Sequence, residues 1–200
     1  KLGRQHRIIL IDREQAHVFA PSLLWLMVGL RKPGAIQRPL GGLKRKGMLR
    51  RYSAQVDVRH GEIEKIDPTR LAVTVAGEEI IADYIVVALG AELAPETIPG
   101  LNKSGFNFYT LPGAEALHAA LGQLKSGRVV VLTAAPAYKC PAAPYEAALL
   151  IDAYFSRQKL RDSVKIDVYA AEVGPMGVAG PEMSGAVKQR LSVRLRPWAQ

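Results

Sequence analysis

Unbroken runs of β-branched and other apolar residues recur along this chain, and helical segments separate them. The clearest runs are residues 8–12, 83–90 and 128–133. Such runs are typical of strands that are buried on both faces of a parallel sheet. Segments with helical spacing, at 114–124 and 145–158, supply the crossover connections that parallel strands need. The pattern therefore predicts an α/β fold with parallel sheets.

A β-meander is predicted in the middle of the first half of the chain. Its strands are residues 62–68, 70–75 and 80–82. They are short and separated by turn residues, as at Asp67-Pro68. Because one system of strands and helices lies on each side of residue 112, we expect two domains, at residues 1–112 and 113–200.

Composition excludes several classes of protein. Of the 200 residues, 48% are hydrophobic and 22% are charged, which is typical of a globular chain and not of a disordered one. The longest apolar stretch, 18–30, is interrupted by Pro21 and Gly29 and is shorter than the roughly 20 residues of a membrane-spanning helix. The single cysteine, Cys140, excludes an internal disulfide and a metal site built from several cysteines, so we expect no metal.

Two positions at the ends of predicted strands are candidate nucleotide ligands. Asp12 ends the first strand, where an acid in a dinucleotide-binding unit accepts hydrogen bonds from a ribose. Gly90 ends the run 83–90, and a glycine there allows the backbone to approach a ligand at the carboxyl edge of a sheet. Both positions also fit plainer interpretations, an acid that ends a strand and an ordinary strand-ending turn.

Cys140 lies in a turn between a predicted strand and a predicted helix, with Lys139 beside it. The helix dipole and the neighbouring cation both favour a thiolate, so a reactive thiol is one interpretation and a structural cysteine the other. Glu146, in the first helical turn, is either a proton acceptor for the thiol or an acid that interacts with the dipole. Residues 134–144 contain no glycine, which argues against a pyridine nucleotide on this turn.

Several of these segments resemble one family of flavoproteins. They are Ile8-Ile9-Leu10-Ile11-Asp12, Phe19-Ala20-Pro21, Gly29-Leu30-Arg31-Lys32, the run 83–90 and, most specifically, the stretch 135–146 around Cys140. The chain resembles the sulfide:quinone oxidoreductases and the flavoprotein subunit of flavocytochrome c sulfide dehydrogenase. Residues 177–180, followed by a helix, resemble the quinone-reducing branch.

The resemblance implies two Rossmann-like domains of the glutathione reductase type, which bind FAD and NAD(P). Residues 1–112 would be a partial FAD-binding domain without its first strand and glycine-rich turn, and 113–200 a partial second domain that carries Cys140. FAD is the implied cofactor. By the same resemblance, Asp12 binds the adenosine ribose and Ile63 meets the adenine through its backbone. The implied flavin cleft is lined by Pro21, Ala88 and Gly90.

The resemblance also assigns the chemistry. Cys140 would be one of two cysteines that relay electrons from sulfide to the flavin, with Glu146 as the nearby acid. The second cysteine is expected beyond residue 200, and the chain is expected to be a fragment that is incomplete at both ends and inactive alone. Ala20 stands where the flavocytochrome has its flavin-linking cysteine, so no covalent flavin is expected. The tail 194–198 does not resemble the family's continuation.

The leading hypothesis is therefore a FAD-dependent enzyme that oxidises sulfide and reduces quinone. One alternative is an NAD(P)H:quinone dehydrogenase of the same superfamily, and another is a non-catalytic basic module that binds membranes. The second alternative rests on the net charge of +9 and on six Lys and Arg in residues 38–51. With only 6% aromatic residues, not interleaved with these charges, no nucleic-acid partner is expected. We expect peripheral attachment to the cytoplasmic or periplasmic face of a prokaryotic membrane, with a homo-oligomer or a cytochrome as a possible partner.

Overall fold

The computed structural model describes residues 6–44, 56–135 and 138–195. Most of the predicted basic segment, at 45–51, and the tail at 196–198 lie outside the described residues. The chain forms two compact units, Lys1–Phe19 with Gln37–Ala94, and Ala20–Ile36 with Pro95–Gln200. The domain boundary at residue 112 stays a prediction.

The first unit is built from short strands. Its strands are β1 (Ile8–Asp12), β2 (Ala16–Val18), β3 (Gln37–Pro39), β4 (Val56–His60), β5 (Ile63–Asp67), β6 (Ala72–Val75) and β7 (Glu78–Ile81). A 3₁₀ turn, Leu40–Lys44, follows β3. Strands β1 and β4 are parallel, with Ile8 opposite Val56 and Asp12 opposite His60. The apolar run at residues 8–12 is thus confirmed as a strand with a parallel neighbour.

The β-meander forms as its turn residues predict. Strands β5, β6 and β7 are antiparallel neighbours in that order. At the first turn, the Asp67 carboxylate accepts hydrogen bonds from the backbone N–H groups of Arg70 (3.1 Å) and Thr69 (3.0 Å), and these bonds hold the pKa of that carboxyl below its ordinary value. At the second, Ala76 (φ 50°) and Gly77 (φ 73°) are both left-handed, the backbone of a tight hairpin turn.

The prediction of a buried strand at residues 83–90 is wrong. The segment has no strand partner among the described residues, and Tyr84 and Val86 are 88% and 89% exposed. Apolar composition favours burial, but a strand forms only when a neighbour accepts and donates its backbone hydrogen bonds. The strands nearest in sequence, β6 and β7, pair with each other. They form no ladder of backbone hydrogen bonds with residues 83–90.

The second unit carries most of the helices. They are α1 (Leu23–Met27), α2 (Pro33–Ile36), α3 (Leu101–Ser104), α4 (Leu111–Gln123), α5 (Ala143–Arg157) and α6 (Pro181–Arg194). Its strands are β8 (Gly127–Thr133) and β9 (Val164–Ala170), and short 3₁₀ turns cover Ala20–Ser22, Pro95–Thr97, Arg161–Ser163 and Gly177–Ala179. Phe19 to Leu30, with Pro21 early and Gly29 late, predicts one helix, but α1 covers only Leu23–Met27 because a 3₁₀ turn occupies Ala20–Ser22.

The core of the second unit lies between α5 and the parallel pair β8–β9. Phe155 on α5 and Val164 on β9 have no exposed surface, and Ile166 has 1%. Residues on the other face of β8, such as Val130 and Leu132, are half exposed, so β8 is buried on one face where the sequence predicted burial on both. This arrangement fixes the carboxyl ends of both strands beside the start of α5.

A buried ion pair fastens α5 to its neighbours. Asp152, 5% exposed, pairs with Arg161 in the turn before β9. The same guanidinium donates to the carbonyl oxygens of Val164 (2.7 Å) and Arg194 (3.0 Å), which joins the start of β9 and the end of α6. Because the carboxylate is paired and hydrogen-bonded, its burial is tolerated.

Gly29→Ala is expected to destabilise the second unit by about 1–2 kcal/mol, since Gly29 has φ +74° and an L side chain is strained there. An added Cβ would also lie 2.8 Å from Cε1 of His118. The matched control is Gly34→Ala in α2, where nothing lies within 4 Å of an added Cβ and a gain of about 0.5–1 kcal/mol is expected. Denaturant unfolding measures the change in the free energy of unfolding for both variants. Equal changes in the two would contradict the strain assigned to a side chain at Gly29.

Candidate functional site

Cys140 lies where the sequence predicted, in the turn between β8 and α5. Its side chain is exposed, and its backbone is left-handed, with φ 55°. The carbonyl oxygen of Cys140 accepts a hydrogen bond from the N–H of Ala143, the first residue of α5, at 3.0 Å. The start of the helix thus holds the peptide that follows the thiol, and the thiol itself is open to a small reactant.

Tyr109 reaches this turn from the start of α4. Its hydroxyl donates to the carbonyl oxygen of Lys139, the residue before Cys140, at 2.7 Å. Asn107 positions the backbone of Tyr109, because Asn107 Oδ1 accepts hydrogen bonds from the N–H groups of Tyr109 (3.1 Å) and Thr110 (3.0 Å). Burial raises the pKa of Tyr109 to about 12, and the negative charge of the Cys140 thiolate adds to the increase. Tyr109 and Cys140 therefore lie close enough to interact electrostatically.

Two more tyrosines form hydrogen bonds with Glu172 beside the Cys140 turn. Glu172 follows β9, and its Oε1 accepts hydrogen bonds from the hydroxyls of Tyr138 (2.5 Å) and Tyr145. Its Oε2 accepts the backbone N–H of Gly177 at 3.3 Å. We call Tyr138, Tyr145 and Glu172 the tyrosine–glutamate cluster. It connects the Cys140 turn, the first turn of α5 and the loop after β9.

The environment lowers the pKa of the carboxyl group in this cluster and raises the pKa values of its two phenols. Burial alone would raise the pKa of Glu172, but the two phenol hydroxyls and the N–H groups of Gly177 and Met176 stabilise the carboxylate and lower that pKa below its ordinary value. Burial, together with the hydrogen bond to Glu172, raises the pKa of Tyr138 to about 12. The pKa of Tyr145 is raised for the same reasons. The cluster therefore holds one negative charge and two phenol protons over the neutral range.

Glu146, the predicted proton acceptor, lies on the first turn of α5 as expected and is exposed. The tyrosine–glutamate cluster does not include it, and its role stays a prediction. Sequence reasoning missed Glu172, Tyr138 and Tyr145. The signal that could have found the tyrosines is their position on either side of the Cys140 turn, since buried phenol hydroxyls need hydrogen-bond partners.

The candidate nucleotide ligands of the first unit lie at the carboxyl edge of the β1–β4 pair. Asp12 ends β1 partly buried, and its Oδ1 accepts the N–H of Glu14 at 2.8 Å, which fixes the carboxylate. Within the described residues, no hydrogen bond to the other carboxylate oxygen is present, so Oδ2 can accept a ribose hydroxyl. These features fit the adenosine end of a dinucleotide such as FAD.

Gly90 lies near this edge. Arg13, next to Asp12, pairs with Glu92 at 3.1 Å, which brings the segment after Gly90 to the turn after β1. Gly90 has φ 76°, so the turn requires a glycine, and open space surrounds the position of an added Cβ. The structure thus supports a conformational role for this glycine within the chain.

The remaining predicted ligands are dispersed. Ile63 opens β5 opposite Val75, next to a bulge in the ladder. Ala88 lies on the exposed segment 83–90. Pro21 lies in the exposed 3₁₀ turn Ala20–Ser22 of the second unit. The assignment of all three to FAD stays a prediction.

In the part of the chain that the structure describes, no group of three or more His, Cys, Asp and Glu side chains is placed to hold a metal ion. No helix there has both the length and the hydropathy that a bilayer crossing requires.

Alkaline titration should show Tyr109 and Tyr138 ionising near pH 12, well above the ordinary value of 10.0. A phenol whose pKa is raised on folding stabilises the native state fully below its unfolded pKa and loses that contribution as pH rises through the folded value. Glu172→Gln is expected to lower the pKa of Tyr138 by removing the carboxylate charge, and to leave Tyr109 unchanged. Ultraviolet difference spectra, with Tyr138→Phe and Tyr109→Phe to assign the steps, measure both values. Unaltered titration of Tyr138 in Glu172→Gln would contradict the role given to the carboxylate.

Comparison with protein families gives two matches. Residues 1–134 match the family described as "Pyridine nucleotide-disulphide oxidoreductase". Residues 114–172, which include Cys140 and Glu172, match "Sulfide dehydrogenase (flavocytochrome c) flavoprotein chain, central". The second match covers the turn, the cluster and both strands of the parallel pair.

Similar curated proteins are mitochondrial sulfide:quinone oxidoreductases. The protein of Dictyostelium discoideum is 27% identical over 86% of this chain and 38% of its own length. The protein of Schizosaccharomyces pombe is 25% identical over 80% of this chain and 35% of its own length. The chain therefore spans well under half the length of these relatives.

Solved structures agree with this relationship. The sulfide:quinone oxidoreductase of the bacterium Aquifex aeolicus superposes with a TM-score of 0.81 and 26% identity, over 96% of this chain and 44% of that one. NDH2 of Plasmodium falciparum, in complex with NADH, has a TM-score of 0.70 and 13% identity over 96% of this chain and 42% of that one, and so shares the fold. The chain belongs to the pyridine nucleotide-disulphide oxidoreductase family of FAD-binding flavoproteins, and its predicted resemblance to the sulfide:quinone oxidoreductase and flavocytochrome c sulfide dehydrogenase group is confirmed.

Proposed function

We propose that this chain is part of a FAD-dependent oxidoreductase that oxidises sulfide at Cys140 and passes the electrons to a quinone. The observation that carries the proposal is the position of Cys140. It is exposed on the turn between β8 and α5, within the segment that matches the sulfide dehydrogenase family. The named relatives are sulfide:quinone oxidoreductases, which supports sulfide and quinone as the substrates.

In this proposal Cys140 supplies one sulfur of a redox pair. Cys140 is the single cysteine of these 200 residues, so a further cysteine would supply the second sulfur. Attack of hydrosulfide on the disulfide breaks the S–S bond, leaves the sulfide sulfur bound to one cysteine and releases the other as a thiolate. Bound FAD would accept the two electrons that the sulfur gives up and pass them to the quinone.

The residues around Cys140 have separable tasks. The Lys139 ammonium, next in sequence to Cys140, would attract the anionic hydrosulfide. Glu146 is exposed on the first turn of α5, where a carboxylate can accept the proton of hydrosulfide. The Cys140 side chain is exposed, so a small anion can reach it.

FAD would be held by the first unit. Asp12 would accept hydrogen bonds from the adenosine ribose through its free carboxylate oxygen, and Ile63 would meet the adenine through its backbone. Ala88 and Gly90, both in this unit, would line the flavin cleft. In this assignment residues 1–112 belong to the FAD-binding domain and 113–200 to the second dinucleotide-binding domain.

Quinone as the acceptor implies contact with a membrane, because quinones are dissolved there. We propose peripheral attachment, which the net charge of +9 favours on an anionic bilayer. The named relatives of this chain are mitochondrial in the curated set and bacterial in the solved structure, so a prokaryotic membrane face, a homo-oligomer and a cytochrome partner stay predictions.

Cys140→Ala in the full-length, FAD-loaded protein is expected to slow sulfide-driven flavin reduction at least about a thousandfold, because the disulfide that hydrosulfide attacks can no longer form. Stopped-flow absorbance of the flavin measures the rate. Ser163→Ala, a comparable loss in an exposed turn of the same unit, is the matched control and should reduce at the wild-type rate. Rapid reduction of Cys140→Ala by sulfide would overturn the proposed function.

Asp12→Asn is expected to weaken FAD binding about 10- to 100-fold, since a hydrogen bond to a charged acceptor is worth roughly 1.5–3 kcal/mol. The asparagine keeps an Oδ1 for the Glu14 N–H, so the turn is preserved. Glu14→Gln is the matched control, because it removes a neighbouring charge whose side chain is 72% exposed. Titration of the apoprotein with FAD measures both constants, and equal affinities for the two variants would refute the assignment of Asp12.

A further inference from the structure

The backbone at Cys140 is in a conformation that this residue type rarely adopts. Its φ of 55° places it in the left-handed region, where a side chain with a Cβ is strained. Such a conformation persists only when surrounding contacts hold it in place. The contacts that hold Cys140 therefore decide where the exposed thiol points.

Three short hydrogen bonds hold the turn, and the Tyr138 hydroxyl also lies 3.4 Å from the Pro141 carbonyl oxygen. The N–H of Ala143 donates to the Cys140 carbonyl oxygen at 3.0 Å, which fixes the peptide after the thiol. The Tyr109 hydroxyl donates to the Lys139 carbonyl oxygen at 2.7 Å, which fixes the peptide before it. The Tyr138 hydroxyl donates to Glu172 at 2.5 Å and anchors the entry to the turn.

The Tyr109 contact reaches the turn from an earlier part of the chain. Ala143 belongs to the helix that follows the turn, whereas Tyr109 lies 30 residues before Lys139. Tyr109 is itself held by the start of α4. The Thr110 hydroxyl donates to Asn107 Oδ1, and Thr110 Oγ1 accepts the N–H of Gly113 at 3.1 Å as the cap of the helix. A well-ordered helix start thus braces the peptide that carries the thiol.

We propose that Tyr109 is a positioning residue for Cys140: the Tyr109 hydroxyl holds the Lys139–Cys140 peptide so that the Cys140 sulfur, within its disulfide, stays aligned for attack by hydrosulfide. This inference rests on the proposed function of Cys140. Tyr109 acts through the backbone and does not touch the reacting atoms. Small displacements of a reacting group lower the rate of the chemical step more than they lower binding of the substrate.

The test uses Tyr109→Phe in the full-length, FAD-loaded protein, which keeps the ring and removes the hydroxyl. The limiting rate of sulfide-driven flavin reduction is expected to fall about 10- to 100-fold, while the half-saturating sulfide concentration changes less than about twofold. Hydrogen exchange of the amides in the turn, above all that of Ala143, should become faster. Tyr169→Phe, a half-exposed tyrosine on β9, is the matched control and should change neither quantity.

A second variant guards against a fold defect in the first. Tyr138→Phe removes the other hydroxyl tether, while Tyr145 still donates to Glu172, and it should lower the limiting rate in the same direction. Unchanged exchange in Tyr109→Phe, or faster exchange with a wild-type limiting rate, overturns the positioning role. Failure of the proposed function is seen separately, as reduction by sulfide that persists in Cys140→Ala.

Discussion

The carboxylate of Glu172 is the interaction on which the candidate site depends. It is one partly buried charge that accepts hydrogen bonds from two phenols and two backbone N–H groups. Those donors come from the Cys140 turn, the first turn of α5 and the loop after β9. Because unpaired buried polar groups are costly, these shared hydrogen bonds stabilise the three segments together.

The tyrosine–glutamate cluster lies at the carboxyl edge of the β8–β9 pair. Strands β8 and β9 are parallel, so the turns that follow them leave the sheet on the same side. Thr133 Oγ1 accepts the N–H of Ala171 at 3.2 Å and ties the two strand ends. In the first unit Asp12 follows β1 in the same way. In both units a chemically distinctive side chain therefore follows the carboxyl end of a parallel strand, where open α/β sheets bind their ligands.

Residues 83–90 show the limit of arguments from composition. Their run of apolar residues is as strong a strand signal as that of β1, yet β1 has a parallel neighbour and residues 83–90 have none in the described chain. A long-range pairing partner is what turns an extended apolar segment into a strand. Gly90, at the end of this segment, has a left-handed backbone but ends no strand, so the predicted strand-ending glycine is not observed.

The sequence by itself determined several local elements: β1, the meander, α4, β8 and α5 follow from apolar runs, turn residues and helix spacing, and Cys140 lies between β8 and α5 as predicted. It also carried the family resemblance. Only the tertiary structure decided which side chains surround the thiol. Tyr138 and Glu172 are 34 residues apart in sequence, and no local pattern links them. They meet because β8 and β9 are parallel neighbours, and register between strands is a property of long-range packing that no short stretch of sequence encodes.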